Sequence, residues 1–258
     1  MPILAPPGNV FPPEEIPVTS DRLLGGRVQY MQPRDGFRAA IDPVLLAAAI
    51  PARPGARVLE GGTGAGAALL CLAARVPGIQ GLGIDREPGL LRLARANAAA
   101  NGWPDLIFAA ADLSASPTGG LFDHAFANPP YHPADGTRSP FSQREIAKRS
   151  VPGMLTDWVK SLSGPLRHRG TLTLILPPSA QEAAFVAMRE ARTPAEKVFP
   201  IWPKEGLPAH LVLIQGRKHG RSPLVLLPGL ILHSATGAWR PEADAVLREG
   251  VALQIAGG

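Results

Sequence analysis

Cysteine, aromatic residues and long apolar runs are all scarce in this chain of 258 residues. The single cysteine, Cys71, cannot form an internal disulfide, and its Ala/Leu-rich surroundings indicate a buried thiol that packs as a small apolar side chain. No window offers the roughly 18 uninterrupted apolar residues that a membrane-spanning helix requires. The start also lacks the charged-then-apolar order of a signal peptide. We therefore expect a cytoplasmic protein that does not enter a membrane.

Metal-binding patterns are lacking as well. The six histidines show no ligand spacing and no pairing with cysteine, so we expect no zinc or iron site. Apolar residues make up 45% and charged residues 18%, which is ordinary for a globular enzyme and too apolar for a disordered chain. The net charge is +5, and 21 of the 26 basic residues are arginine. Arginine suits phosphate recognition and favours an acidic partner, although nucleotide bias in the genome gives the same composition.

The chain divides into a short leader and one domain. Residues 1–18 predict a poorly ordered leader, because six prolines fall within residues 1–17 and periodicity is absent. A single domain is expected over residues 19–258, with a short helical segment near its start. In that segment Asp42 can cap a helix that has Pro43 at its first position.

From residue 57 onward, short apolar runs alternate with longer segments of helical periodicity, which is typical of an α/β domain. Right-handed crossovers then predict a mostly parallel sheet with helices on both faces. We predict strands at residues 57–60, 80–85, 106–109, 122–127, 170–176, 196–201 and 210–215. Helices are predicted at residues 65–75, 87–101, 155–166 and 180–189, and a terminal helix at 241–253. The last two strands lack a helix between them, which predicts antiparallel pairing.

A glycine-rich turn joins the first strand of this pattern to the first helix. Glycines let the backbone turn tightly and approach a ligand beside a helix N-terminus. Gly62, Gly64 and Gly66 therefore predict a nucleotide-like ligand at this turn. Gly62, Gly64 and Ala67 also satisfy the dinucleotide fingerprint, so an NAD-dependent oxidoreductase is an alternative at this point.

Acidic residues lie at or just beyond the ends of three successive strands. They are Glu60, Asp85 and Asp112, and open α/β sheets bind ligands beyond these strand ends. Asp85 can accept hydrogen bonds from both ribose hydroxyls of a nucleoside. Asp112 can accept one from an adenine amine, or it can be a simple turn residue.

The fourth strand runs into the tetrapeptide Asn128-Pro129-Pro130-Tyr131. An aryl amine is a poor nucleophile because its lone pair is delocalised into the ring, so two fixed acceptors are needed to hold its N–H groups. The Asn128 side-chain oxygen and the Pro129 carbonyl can be those acceptors, and neither proline presents a competing backbone N–H. Tyr131 offers an aromatic face on which a planar base can stack. The alternative is a strand-terminating surface turn.

The cofactor-binding residues Glu60, Gly62, Gly64, Gly66, Asp85 and Asp112, followed by the tetrapeptide, resemble in this order the class I S-adenosylmethionine-dependent amino-methyltransferases. The resemblance implies that Asp85 holds the ribose and Asp112 the adenine amine of S-adenosylmethionine. Residues 19–26, 32–38 and 42–46 further resemble bacterial methyltransferases that modify adenine N6 in the anticodon region of a valine tRNA. This resemblance covers residues 19–248. It implies a tRNA partner and a Rossmann-like, doubly wound sheet of seven strands with the last strand antiparallel.

Two basic segments are candidates for contact with the substrate. The loop of residues 132–149 follows the tetrapeptide and carries Arg138, Arg144, Lys148 and Arg149. These side chains are placed to meet phosphates beside a target nucleotide, or they belong to a solvated lid. The related group has an Arg-rich segment here with a different pattern. A second basic segment is expected to be solvated; it contains Arg217, Lys218, His219 and Arg221.

Three alternatives to a tRNA adenine methyltransferase stay open. The same chemistry fits a glutamine side-chain amide in a protein, as in release-factor methyltransferases, although residues 32–38 argue against it. The oxidoreductase leaves residues 128–131 unexplained. A catalytically silent RNA-binding module would keep the pocket as scaffold, and only an activity measurement excludes it.

Overall fold

The structure, a computed structural model, describes residues 17–35, 41–113, 121–130 and 153–255. Nearly all of the predicted leader lies outside these ranges. The same is true of Tyr131 and of the whole basic loop of residues 132–149. Within the described ranges, no helix is long and apolar enough to cross a bilayer.

Strands and helices alternate through the described chain as the sequence predicts. The strands are β1 (Val18–Leu23), β2 (Val28–Pro33), β3 (Arg57–Gly61), β4 (Gln80–Asp85), β5 (Leu106–Ala110), β6 (Phe122–Ala127), β7 (Leu166–Leu176), β8 (Ala195–Lys204), β9 (Leu211–Arg217), β10 (Val225–Leu226) and β11 (Leu230–His233). The α-helices are α1 (Asp42–Ala49), α2 (Ala67–Arg75), α3 (Pro88–Ala100), α4 (Met154–Ser163), α5 (Gln181–Glu190) and α6 (Pro241–Asp244). Short 3-10 turns occupy Leu24–Gly26 and Pro178–Ala180, and a π-helical turn, Ala245–Glu249, follows α6. The predicted α/β class is confirmed.

The central sheet is mostly parallel and has the strand order β10-β8-β9-β7-β6-β3-β4-β5, with β11 also paired to β8. Strand β9 runs antiparallel between β7 and β8. The antiparallel pairing predicted for the strands at residues 196–201 and 210–215 is therefore confirmed. The predicted number of seven strands is wrong, because β10 and β11 extend the sheet to nine. The Pro228-Gly229 pair, with Gly229 at φ 84°, divides one apolar run into two pieces that both pair parallel to β8.

The N-terminal part differs from the predicted helical segment. Residues 18–33 form an antiparallel hairpin of β1 and β2, and only α1 is helical. The helix has Ile41 as its N-cap, so Asp42 is the first helical residue and not the predicted cap. The terminal helix is shorter than predicted, since Gly250 adopts a left-handed φ of 72° directly after Glu249.

Two asparagines four residues apart, Asn97 on α3 and Asn101 at its C-cap, attach the hairpin to the domain. Asn97 accepts from the backbone N–H of Met31 at 2.8 Å and donates to the carbonyls of Met31 at 2.8 Å and Ala65 at 3.0 Å. Asn101 accepts from the N–H of Gln29 at 2.9 Å and donates to its carbonyl at 2.7 Å. The two amides satisfy backbone groups of β2 as a neighbouring strand would, and Asn97 also reaches the glycine turn.

We expect Asn97→Ala to lower the free energy of unfolding by about 3 kcal/mol, because the buried carbonyl of Ala65 and the partly buried N–H and carbonyl of Met31 lose their partner. Denaturant unfolding measures this effect. Asn101→Ala is the matched control, and water can replace its exposed hydrogen bonds to Gln29, so we expect a loss of about 1 kcal/mol. Equal losses in the two variants would contradict this account of the hairpin.

The core lies on both faces of the sheet. One cluster contains the side chains of α1 and α2 and includes Cys71, which is 1% exposed and thus buried as predicted. The other cluster contains Val159 and Leu162 of α4 and packs on β6 and β7. Both layers hold the strand ends fixed, and these ends carry the predicted site.

Candidate functional site

The carboxyl ends of β3, β4, β5 and β6 form one edge of the sheet, here called the carboxyl edge. Strand pairing sets Gly61 beside Ile84 and Ala127, and Asp85 beside Ala110. This register brings the predicted glycines, Asp85, Asp112 and Asn128 to the same edge. The grouping of these residues follows from parallel pairing of neighbouring strands.

The glycine turn between β3 and α2 has a backbone that only glycine adopts without strain. Gly62, Gly64 and Gly66 have φ of 65°, 55° and 91°. The backbone N–H of Thr63 donates to the carbonyl of Ile84 at 3.0 Å, and that of Gly66 donates to the carbonyl of Thr63 at 2.8 Å. The turn is thus fixed to the end of β4 and leads directly into α2.

Gly64 and Asp85 together form a cradle for a ligand. The N–H of Gly64 donates to Asp85 Oδ2 at 2.8 Å, and the N–H of Glu87 donates to Asp85 Oδ1 at 3.0 Å. A carboxylate accepts about four hydrogen bonds, so this half-buried group retains room for two hydroxyls. A Cβ added at Gly64 would meet no atom within 4 Å, which shows that the turn opens onto free space. These residues fit a nucleoside with a ribose diol.

Glu60 lies beneath this cradle and is 5% exposed. Burial raises the pKa of Glu60 to about 8, while hydrogen bonds from the Thr63 hydroxyl and the Leu69 backbone N–H act in the lowering direction. The Thr63 hydroxyl lies 2.6 Å from Glu60 Oε2. Glu60 therefore carries a proton through much of the neutral range and stabilises the turn from inside.

Helix α4 covers the glycine turn from the other side. A Cβ at Gly62 would lie 2.5 Å from the Trp158 ring, and one at Gly61 would lie 3.0 Å from Leu162. The buried Ser161 hydroxyl donates to the carbonyl of Leu113, which follows Asp112. The sequence did not predict Trp158, Thr63 or Ser161 as site residues. No local pattern marks them, because their role depends on how α4 packs across the sheet.

The remaining predicted residues are placed as follows. Asp112 is exposed and lies two residues beyond β5. Asn128 is half-buried and Pro129 is buried, directly after β6 and next to the glycine turn. Tyr131 lies outside the described residues, as do Arg138, Arg144, Lys148 and Arg149. Over the described ranges, no group of three or more His, Cys, Asp or Glu side chains could hold a metal.

The sequence profile of the methyltransferase small domain family matches residues 40–151. Over a longer span, the chain is 31% identical over 226 residues to a tRNA1(Val) (adenine(37)-N6)-methyltransferase of Porphyromonas gingivalis, covering 80% of this chain and 85% of that protein. The chain belongs to this methyltransferase family. It is an S-adenosylmethionine-dependent methyltransferase, and the alternative of an NAD-dependent oxidoreductase is thereby overturned.

One further relative and two solved structures are similar to part or most of this methyltransferase. A release factor glutamine methyltransferase of Rhodospirillum rubrum is 47% identical over 81 residues, which are 31% of this chain and only 25% of that protein. A predicted O-methyltransferase from Agrobacterium tumefaciens matches with a TM-score of 0.68, 24% identity and coverage of 82% of this chain and 97% of that chain. A Thermus thermophilus 16S rRNA N2 G1207 methyltransferase in complex with AdoMet and guanosine gives a TM-score of 0.57 at 18% identity, covering 78% of this chain and 50% of that chain. These structures confirm the fold.

The buried carboxyl predicts how the stability of the cofactor-free methyltransferase depends on pH. Because the folded pKa of Glu60 is about 8 and its ordinary value is 4.5, the unfolded chain releases this proton first as pH rises. Stability therefore falls between pH 4.5 and 8, by an amount on the order of a few kcal/mol in total. Burial lowers the pKa of His124 to about 4, which has the opposite sign below pH 6.5. Above pH 6.5 the pH dependence of stability therefore contains the contribution of Glu60 without the opposing contribution of His124.

We expect Glu60→Gln to flatten the decline in unfolding free energy between pH 6.5 and 8, since the amide keeps a hydrogen-bond acceptor for Thr63 and does not titrate. Chemical denaturation at several pH values measures the slope. Glu182→Gln, on the exposed face of α5, is the control and should keep the wild-type slope. An unchanged slope in Glu60→Gln would show that another group governs the decline.

Proposed function

We propose that this methyltransferase places a methyl group on the exocyclic N6 amine of an adenine in tRNA. The observation that carries the proposal is the position of Asn128 and Pro129, which follow β6 beside the glycine turn. The family relatives support the same substrate class through their names, tRNA1(Val) (adenine(37)-N6)-methyltransferase, in Porphyromonas gingivalis and other bacteria.

The residues of the carboxyl edge would hold the cofactor. Asp85 would accept the ribose hydroxyls, Asp112 the adenine amine, and the turn of Gly62, Gly64 and Gly66 would let the ligand approach the backbone. Glu60 would support this turn from below. When bound, S-adenosylmethionine supplies an electrophilic methyl group carried on a sulfonium sulfur.

The tetrapeptide would orient the acceptor amine. Asn128 Oδ1 and the Pro129 carbonyl accept one N–H each, which turns the nitrogen lone pair out of the ring plane. Pro130 contributes no backbone N–H that could compete, and Tyr131 stacks on the base. Orientation of this kind supplies much of the rate acceleration in transfer reactions. The methylated nitrogen is acidic enough to release its proton to water, so no general base is required.

A target adenine must leave its stack to reach this edge of the sheet, which is easiest in a single-stranded loop. The basic side chains of residues 138–149 would contact phosphates on either side of the target nucleotide; they are Arg138, Arg144, Lys148 and Arg149. A structured RNA with an exposed loop, such as the anticodon arm of a tRNA, meets both requirements.

A protein glutamine side chain is the second candidate acceptor. Its amide also presents two N–H groups on a planar nitrogen, and 81 residues of this chain are 47% identical to a release factor glutamine methyltransferase. That similarity spans a quarter of the relative, whereas the tRNA methyltransferase of Porphyromonas gingivalis is covered over 85% of its length. The longer match favours tRNA.

Transfer of labelled methyl groups from S-adenosylmethionine distinguishes the two acceptors. Total bacterial tRNA without adenine N6-methylation and purified release factor are supplied in parallel reactions. We expect label in tRNA and none in the release factor. Label in the release factor alone would overturn the proposal in favour of the glutamine amide.

A further inference from the structure

A cleft at the opposite edge of the sheet is lined by basic side chains from three separate segments. His168 and Arg169 lie at the start of β7, Arg192 follows α5, and Lys218, His219 and Arg221 follow β9; we call these six residues the basic cleft. All but Lys218 line an open concavity of about 650 Å³. The amino end of β7 and the carboxyl end of antiparallel β9 place it away from the carboxyl edge. Sequence reasoning expected residues 217–221 to be solvated and did not join them to residues 168, 169 and 192.

The positive charge of the basic cleft is not neutralised by its neighbours. The two nearby carboxylates each have an ion-pair partner of their own, because Asp123 binds Arg167 and Glu196 Oε2 binds Arg217. Glu196 Oε1 lies beside Gly220 without a hydrogen-bond partner, and this one carboxylate is outnumbered by the basic side chains of the cleft. Arg169, Arg192 and Arg221 are exposed, and none of them has an ion-pair partner in the part of the chain that the structure describes. Lys218 Nζ donates to the carbonyl of Ala191 at 3.3 Å, and its pKa is lowered by partial burial and then by Arg192. The basic cleft therefore carries a net positive charge that an anion can neutralise.

The backbone of the basic cleft is strained at the positions of three basic residues. Arg169, Arg192 and His219 have left-handed φ of 64°, 56° and 55°. Only one other non-glycine residue within the described ranges, Leu24, has a positive φ. Each of these turns would be relaxed by glycine, yet each carries a side chain that can bear positive charge. Strain of this kind persists where the surroundings or a function requires the side chain.

We propose that the basic cleft binds a backbone phosphate of the RNA substrate, away from the nucleotide that is methylated. This inference rests on the proposed function. Phosphate oxygens attract each of these cations through their charge, and a bound phosphate relieves the repulsion between Arg192 and Lys218. RNA is favoured over a small anion because the cations come from three segments along an open surface, which suits an extended polyanion.

The distance along the sheet implies that the bound phosphate does not belong to the target nucleotide. A bulge separates Leu166 from Thr171 in the pairing with β6, and Arg169 lies within it. Asn128 lies four residues beyond His124, the partner of Thr171, so the target and the basic cleft are roughly 15 Å apart along the strand direction. A single nucleotide does not span this separation, whereas a folded RNA does. The contact would therefore serve binding of the RNA and not the chemical step.

The test uses a double variant, Arg169→Gly with Arg192→Gly, which removes two charges and relaxes both backbone positions. Affinity for an unmethylated valine tRNA transcript is measured by filter binding at several salt concentrations, without any methyl transfer. We expect affinity to fall roughly tenfold at 0.1 M salt, and the slope of log K against log salt to decrease by about 1.5. S-adenosylmethionine affinity should match the wild type, and Tm should be at least as high, because glycine relieves the left-handed backbone at both positions.

The matched control is Arg169→Lys with Arg192→Lys, which keeps both charges at the same strained positions and should bind tRNA within about twofold of the wild type. Wild-type affinity in the glycine variant would overturn the inference, and so would equal weakening in the glycine and lysine variants. Because binding is measured without turnover, failure of the methyl-transfer assay alone would count against the proposed function and not against the basic cleft.

Discussion

Asn128→Ala is expected to lower kcat for methyl transfer to tRNA by a factor of roughly 100 to 1,000, with S-adenosylmethionine affinity unchanged. Alanine removes one of the two acceptors that would hold the amine, so the lone pair is no longer directed and the aryl nitrogen remains a poor nucleophile. Asn128 is half-buried at the end of β6, between neighbours that are themselves buried, so the backbone should stay in place.

The control for this prediction is Asn128→Asp, which keeps an oxygen where the proposed acceptor lies. It should retain more activity than the alanine variant, while both should bind the cofactor and melt at the wild-type temperature. Single-turnover kinetics with saturating tRNA separate the chemical step from binding. A loss confined to KM, with normal kcat, would show that Asn128 contributes to substrate binding alone and would remove it from the catalytic role.

Gly64→Ala is expected to reduce S-adenosylmethionine affinity by roughly a hundredfold, which corresponds to about 2.7 kcal/mol. Gly64 has φ of 55°, and the space beyond its missing Cβ is empty within 4 Å. A methyl group there would protrude into the cradle formed with Asp85 and also strain the turn. Calorimetric titration with the cofactor measures the loss directly.

Gly55→Ala separates backbone strain from loss of the cradle. Gly55 also has a positive φ, 81°, with nothing within 4 Å of an added Cβ, but it lies before β3 at the other end of the strand. Both variants should lose a similar amount of stability, about 1 kcal/mol. Only Gly64→Ala should lose cofactor affinity. Equal affinities in the two variants would mean that the ligand does not approach the glycine turn.

The sequence predicted the central sheet well because each parallel strand is a short apolar run bounded by turn residues. β4 and β6 were predicted with their observed ends, and β3 and β5 to within one residue. The hairpin of β1 and β2 was missed, since it is held by the side chains of Asn97 and Asn101 across roughly 70 residues of chain. No local periodicity reports such contacts.

In the candidate site, too, the sequence predicted the residues that local patterns mark and missed those that meet only through tertiary packing. Gly64, Asp85 and Asn128 could be selected because their residue types and their places at strand ends are visible in the sequence. Trp158 could not be selected, because its position against Gly62 depends on the packing angle of α4. The basic cleft was missed for a related reason: its side chains are far apart in sequence and meet only where the start of β7, the turn after α5 and the end of β9 converge.

The central claim is that this methyltransferase modifies the exocyclic amine of adenine. Its most direct test is nucleoside analysis by mass spectrometry of a valine tRNA transcript, digested after reaction with S-adenosylmethionine and the wild-type protein. The account predicts one new nucleoside that co-elutes with N6-methyladenosine and is absent after reaction with Asn128→Ala. A methyl group on a ring nitrogen, on a ribose oxygen or on another base would contradict it.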